Sequence, residues 1–211
     1  MANAKNHKNF LEDLLVTPLA IQGIVLLGRL LPRPVGLKLA DSIGRLLGQN
    51  DKSPMVQAIR ANQWVIHNGE LPPDQLDRLP VIVFQSAVRC IFDCSYFLSR
   101  PKKLKSIVEF SPETQKAFDR IRRDQPCVIV CPHLSNFDLM GYALALNGLD
   151  VQVLSFPNPT GSYRLQNKFR KRVGINVTPM TLSAFRQARD RLRAGGSILT
   201  GPGGEIVHQM G

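Results

Sequence analysis

One change of pattern, near residue 125, limits what this chain can become. Before it, apolar residues recur at helical spacing between breaks marked by proline, glycine and asparagine. After it, short apolar runs alternate with helical stretches. The turning point is "PCVIVC" (Pro126 to Cys131), a continuous apolar run that reads as a strand buried on both faces. A helix from about Asn136 follows, then a strand "VQVLSF" and a helix from about Tyr163 to Val173. A short strand "INVTP", a helix "TLSAFRQARDRLRAG" and a strand "SILTG" complete the series. Gly174 and Gly195 fall where helix C-termini are expected. Strand–helix alternation with such short links implies a mostly parallel α/β sheet with helices on its faces.

Upstream, helices are expected over Phe10–Leu31 (bent at Pro18), Val35–Leu47, Met55–His67 and Val81–Leu98, with "QNDKSP" and "NGELPPDQ" as breaks. "SPETQKAFDRIRRDQ" reads as a capped helix, with Ser111, Glu113 and Gln115 in its first turns. Two regions result: a helical part over residues 1–110 and an α/β core over 111–211. The last run, "TGPGGEIVHQMG", stops after a strand with no covering helix, so the sheet reads as incomplete: either the N-terminal helices cover it or the chain is cut short.

The 211 residues carry a net charge of +11, which points to an anionic partner: nucleic acid, an anionic membrane surface or a phosphorylated substrate. No aromatic stripe accompanies the basic residues, and no helix-turn-helix, zinc-finger or RNA-binding signature occurs, so nucleic acid is not expected. A serine hydrolase is set aside because no G-x-S-x-G elbow is present. Cys90, Cys94, Cys127 and Cys131 form two C-x3-C pairs; buried reduced thiols are expected rather than a zinc site, and no metal is expected. No signal peptide is evident, which favours a cytosol-facing location. Residues 10–33 include the uncharged stretch "LLVTPLAIQGIVLLG". It is short for a bilayer span and interrupted by Pro18 and Gln22, so it reads either as a helix lying in the membrane interface or as a core helix.

The chemistry centres on "VIVCPHLSNFDLMG", Val128 to Gly141. In an α/β sheet, ligands bind beyond the carboxyl ends of the strands, and His133 sits at such an end. With the histidine on the turn and Asp138 in the first helical turn, the carboxylate can accept from one imidazole nitrogen and leave the other as a base. That is a catalytic triad without its protein nucleophile, which suggests direct attack by a substrate hydroxyl. The competing reading is a capping box, Ser135-x-x-Asp138, with His133 a solvated turn residue.

"HLSNFD" resembles the H-x4-D motif of glycerolipid acyltransferases. Its setting looks most like the lipid A lauroyl/myristoyl acyltransferase family and its lysophospholipid and mannoside acyltransferase relatives. His133, Asn136, Phe137 and Asp138 match the family's H-x-x-N-[WF]-[ED] core. The similarity runs through "GRLLPRPVGLKLADSIGRLLG", "VRCIFDCSYFLSRP" and "YRLQNKFRKRVGINV", from about Leu19 onward. The resemblance implies a glycerolipid-acyltransferase-like sheet. It also implies transfer of an acyl chain from acyl-ACP or acyl-CoA to a lipid hydroxyl, without metal, cofactor or covalent intermediate. His133 would be the general base and Asp138 its orienting partner. Asn136, Arg164 and Asn167 would contact substrate, the arginine holding phosphate. The implied partners are an acyl carrier protein or CoA thioester, an anionic lipid acceptor and a membrane surface. The implied location is the cytoplasmic face of the inner membrane.

Between Arg164 and Arg193 lie nine basic residues and one acid, Asp190. Arginine's planar fork suits phosphate, and a basic cluster such as "NKFRKR" suits an anionic surface. Arg186, Arg189, Arg191 and Arg193 fit equally well as the solvated face of an amphipathic helix. In the family's third block an aspartate is usual; here Gly203 stands in its place, and Glu205 is a substitute two residues on unless the glycine pair is a plain turn. A second expectation therefore stands beside the enzyme: a truncated, inactive member that binds anionic membrane or lipid.

Overall fold

The computed structural model describes residues 18–122, 125–132, 136–158, 167, 168, 170, 171 and 174–201. The chain divides into two compact units, Met1–Ser99 and Arg100–Gly211.

Among the described residues of the first unit, four helices follow one another: α1 (Pro18–Leu30), α2 (Arg33–Gly48), α3 (Pro54–Ile66) and α4 (Pro73–Leu98). Proline opens α2, α3 and α4 within their first two positions, where its missing N–H has no helical partner to lose. Ser53 adds a cap by accepting from the Val56 N–H. The expected helix over Phe10–Leu31 starts, among the described residues, at Pro18; residues 10–17 lie outside them. The expected helix over Val81–Leu98 is longer than its sequence suggests. It begins at Pro73 and runs through Pro80, which is fully buried. A mid-helix proline costs a hydrogen bond, and packing of its flank against α2 offsets that cost.

That packing depends on small residues. Gly36, Ala40, Gly44 and Gly48 lie four apart and are the buried positions of α2. A Cβ on Gly44 would come within 2.5 Å of the Gln85 Cα, and one on Gly48 within 2.5 Å of the Val81 Cα. Only hydrogen allows the two helix backbones to approach this closely. Arg33 crosses the same seam with a two-pronged pair to Asp93, Nε to Oδ1 and Nη2 to Oδ2, both 2.8 Å. Arg89 forks Asp41 in the same way, with Nη2 2.7 Å from Oδ2. Among the described residues, α4 is the one helix long and apolar enough to cross a membrane. Its contacts with α1, α2 and α3 make it the central helix of this unit.

The second unit holds α5 (Pro101–Ile107), α6 (Pro112–Arg122), β1 (Val128–Val130), α7 (Phe137–Leu146), β2 (Val151–Ser155), β3 (Asn176–Pro179), α8 (Leu182–Arg193) and β4 (Ser197–Thr200). Ser111 caps α6 as expected, accepting from the Thr114 N–H at 3.2 Å. The four strands form one parallel sheet in the order β1-β4-β2-β3, with Val128 beside Ile198, Val151 beside Ser197 and Val153 beside Val177. Val151, Val153, Ile129 and Leu199 share one face and pack with Phe118 and Ile121 of α6 and Leu144 of α7. The step from β3 back to β4 reverses direction across the sheet, so a right-handed crossover carries α8 to the other face. Thr181 caps α8, and Gly174 and Gly195 take the positive φ of helix C-termini, 88° and 87°.

β1 departs from expectation. It is an edge strand of three residues, with Ile129 in the core and Val128 and Val130 exposed at 54% and 60%. The run "PCVIVC" looked buried on both sides because its composition is uniformly apolar. Among the described residues β1 pairs with β4 alone, and one of its faces bears on the core.

Candidate functional site

Because every strand is parallel, all four carboxyl ends open on the same edge of the sheet. The segment after β1 delivers Asn136 and Asp138 to that edge. Asn136 caps α7, its Oδ1 accepting from the Leu139 N–H at 3.3 Å. This fixes the helix start at Asn136; Ser135, the residue of the competing capping box, lies outside the described residues. Asp138 lies in the first turn of α7, where a carboxylate complements the helix dipole.

Asp138 is held by Arg170. The guanidinium Nε lies 2.8 Å and Nη2 2.6 Å from the same carboxylate oxygen, Oδ1. Nη1 donates to Asn167 Oδ1 at 2.9 Å, and the Arg170 group lies 5.9 Å from the centre of the Phe137 ring. Asn167 is buried and donates from Nδ2 to Ser155 Oγ at 3.0 Å, at the last residue of β2. Four polar side chains from three segments thus form one chain of contacts: Ser155, Asn167, Arg170, Asp138. Oδ2 of Asp138 takes none of these bonds and is the oxygen left to meet another donor.

Of the residues singled out in the sequence, Asp138, Asn136 and Asn167 lie together on this edge. His133, Arg164 and Glu205 lie outside the described residues. Substrate contact was implied for Asn136 and Asn167; in the structure the first caps a helix and the second bridges Ser155 and Arg170. Arg170 was read only as one charge in "NKFRKR". Its neighbours Lys168 and Lys171 are exposed, whereas Arg170 turns inward. The three-residue step from Asn167 to Arg170, one helical turn, was the available signal.

Other expectations shift as well. All four cysteines are free thiols of intermediate exposure rather than buried. Cys131 follows β1 directly, and burial pushes its thiol above its ordinary pKa. No group of three metal-ligating side chains occurs among the described residues. On α8, Arg186, Arg189 and Arg193 are exposed, but Arg191 is not a solvated charge: it donates to the carbonyls of Ser197 and Asp150, both at 3.0 Å.

A carboxylate fixed at the carboxyl edge of a parallel sheet, beside the first strand, is the layout of an α/β enzyme whose chemistry is carried by the loops at that edge. A family model described as bacterial lipid A biosynthesis acyltransferase matches residues 6–208. The chain belongs to that family, and it is an acyltransferase of the lipid A biosynthesis type. Comparison with curated proteins finds no match.

Proposed function

We propose that the protein moves a fatty acyl chain from an acyl thioester, carried on ACP or CoA, to a hydroxyl of an anionic lipid at the cytoplasmic face of the membrane. The observation that carries this reading is Asp138, anchored in the first turn of α7 by Arg170 with its second oxygen left over. Five residues before it in sequence stands His133, which in this reading is the base: its Nδ1–H would donate to Asp138 and its Nε2 would take the proton of the acceptor hydroxyl.

The hydroxyl oxygen attacks the thioester carbonyl while Nε2 takes its proton. The tetrahedral intermediate then collapses to the new ester, breaking the C–S bond, and the imidazolium returns the proton to the departing thiolate. Asp138 stabilises the imidazolium and holds one ring orientation throughout. No residue of the protein is acylated. Arg164 holds acceptor phosphate, Glu205 stands in for the family's third-block acid, and the exposed Lys168 and Lys171 draw an anionic surface.

The test is to incubate membranes and the full chain with labelled acyl-ACP or acyl-CoA and follow label into lipid. Transfer by the wild type, lost in His133→Ala and Asp138→Asn, is the expected result. Equal transfer by all three would refute the base assignment.

A further inference from the structure

Asp138 has a supporting structure of its own, reaching back to β2. The side chain that grips it, Arg170, comes from a segment 32 residues later in sequence. Arg170 is only 13% exposed, and its fork meets both Asp138, through Nε and Nη2, and Asn167, through Nη1. Asn167 is fixed in turn by Ser155, and the Phe137 ring lies beside the guanidinium. A planar group restrained in this way has little freedom to swing, so the carboxylate it holds is restrained as well.

We propose that Arg170 is a positioning residue for the acyl transfer, acting through Asp138, and that Asn167 and Ser155 fix Arg170 in turn. This rests on the reading of Asp138 as the partner of a catalytic base. Arg170 touches no reacting atom. Its contacts with Oδ1 leave Oδ2 as the oxygen that would accept from a base, and they fix the orientation in which that oxygen is presented. The division of labour separates Arg170 from its exposed neighbours Lys168 and Lys171, which carry similar charge in the same short run but face outward.

The test is a mutant cycle read as kcat and acceptor KM separately, on the full chain in membranes, using Arg170→Met, Arg170→Lys, Asp138→Asn and the Arg170→Met/Asp138→Asn double variant. Misplacing a catalytic group by about 1 Å can cost roughly 10²-fold. Arg170→Met should therefore lose about that much kcat with acceptor KM nearly unchanged. Arg170→Lys keeps charge but not the fork and should recover part of the loss. The double variant should match Asp138→Asn to within about twofold, because both changes remove one function.

The proposal would be overturned by multiplying losses in the double variant, by a raised acceptor KM at unchanged kcat, or by full activity in Arg170→Lys. Should Arg170→Met fail to fold, the lysine variant and its double with Asp138→Asn decide the same question. Full activity in Asp138→Asn instead removes the base reading itself. Loss in Asp138→Asn with none in Arg170→Met removes this inference alone.

Discussion

Arg170 meets Asp138 through one carboxylate oxygen, with Nε at 2.8 Å and Nη2 at 2.6 Å from Oδ1. A symmetrical fork would engage both oxygens, as Arg33 does with Asp93 in the helical unit. The asymmetry matters because a carboxylate that orients a base needs one oxygen to be held by and one to hold with. The Arg33–Asp93 pair is complete in itself and serves packing; the Arg170–Asp138 pair, among the described residues, engages Oδ1.

The first prediction follows from that geometry. Asp138→Asn keeps the shape of the side chain but removes the charge that stabilises an imidazolium. A positioned acid–base group contributes about 10²–10⁴-fold to rate, so kcat should fall by about 10²-fold or more. Donor binding should be largely preserved. Steady-state kinetics with acyl-ACP and acyl-CoA as alternative donors would check this, and an unchanged kcat contradicts it.

A second prediction concerns the seam between α2 and α4. Gly44→Ala puts a methyl group 2.5 Å from the Gln85 Cα, a backbone atom that cannot move aside alone. The helices must separate, and overpacking of this kind typically costs about 1–3 kcal/mol. Gly23→Ala, in α1, meets nothing within 4 Å and gains helix propensity. It should be neutral or stabilising by up to about 1 kcal/mol. Denaturant titration of both variants compares them directly, and equal midpoints would mean the seam is looser than described.

The sequence was most informative where periodicity and punctuation agreed. β2, β3, β4 and α8 lie where the alternation of "VQVLSF", "INVTP", "TLSAFRQARDRLRAG" and "SILTG" put them, because each is bounded by a turn or cap residue. Strand order was not legible, since nothing local to β4 states that it inserts between β1 and β2. For the same reason β1 passed for a central strand. The N-terminal extension of α4 was hidden by "LPPDQ", where two prolines looked like a break but the second of them opens the helix. At the site, Asp138 could be picked out from its motif. Arg170 could not, because its role depends on a contact across 32 positions, and a run of six mostly basic residues does not say which one turns inward.

The third prediction separates arginines that look alike in sequence. Arg191 ties the end of α8 to the carbonyls of Ser197 and Asp150, with Nη2 also 2.7 Å from the Asp150 carboxylate. Replacing it by alanine leaves those carbonyls short of a charged donor, a loss of about 1.5–3 kcal/mol. Arg193→Ala removes an exposed side chain on the same helix and should stay within about 0.5 kcal/mol of wild type. Thermal melts of the two variants provide the comparison. Equal destabilisation would show that helix charge, rather than these bonds, is what matters.

A last prediction concerns acid. Hydrogen bonds from Arg89 hold the Asp41 carboxyl below its ordinary pKa; burial opposes them as the next largest effect, and the charges of Arg89 and Arg45 help by less. A carboxyl whose folded-state pKa is depressed adds stability that is present above its unfolded value, near pH 4, and lost as pH falls through the folded value. Asp41→Asn removes that contribution at every pH. The wild type should therefore be the more stable protein at pH 6, and the two melting curves should draw together as pH falls through the folded-state value of Asp41, below which the side chain at position 41 is neutral in both proteins. The pair is largely exposed and screened, so the gap at pH 6 should also narrow as salt is added. A constant offset between the two proteins from pH 6 to pH 2 would instead mean that asparagine disturbs the α2–α4 seam by shape, with the Asp41 charge playing no part.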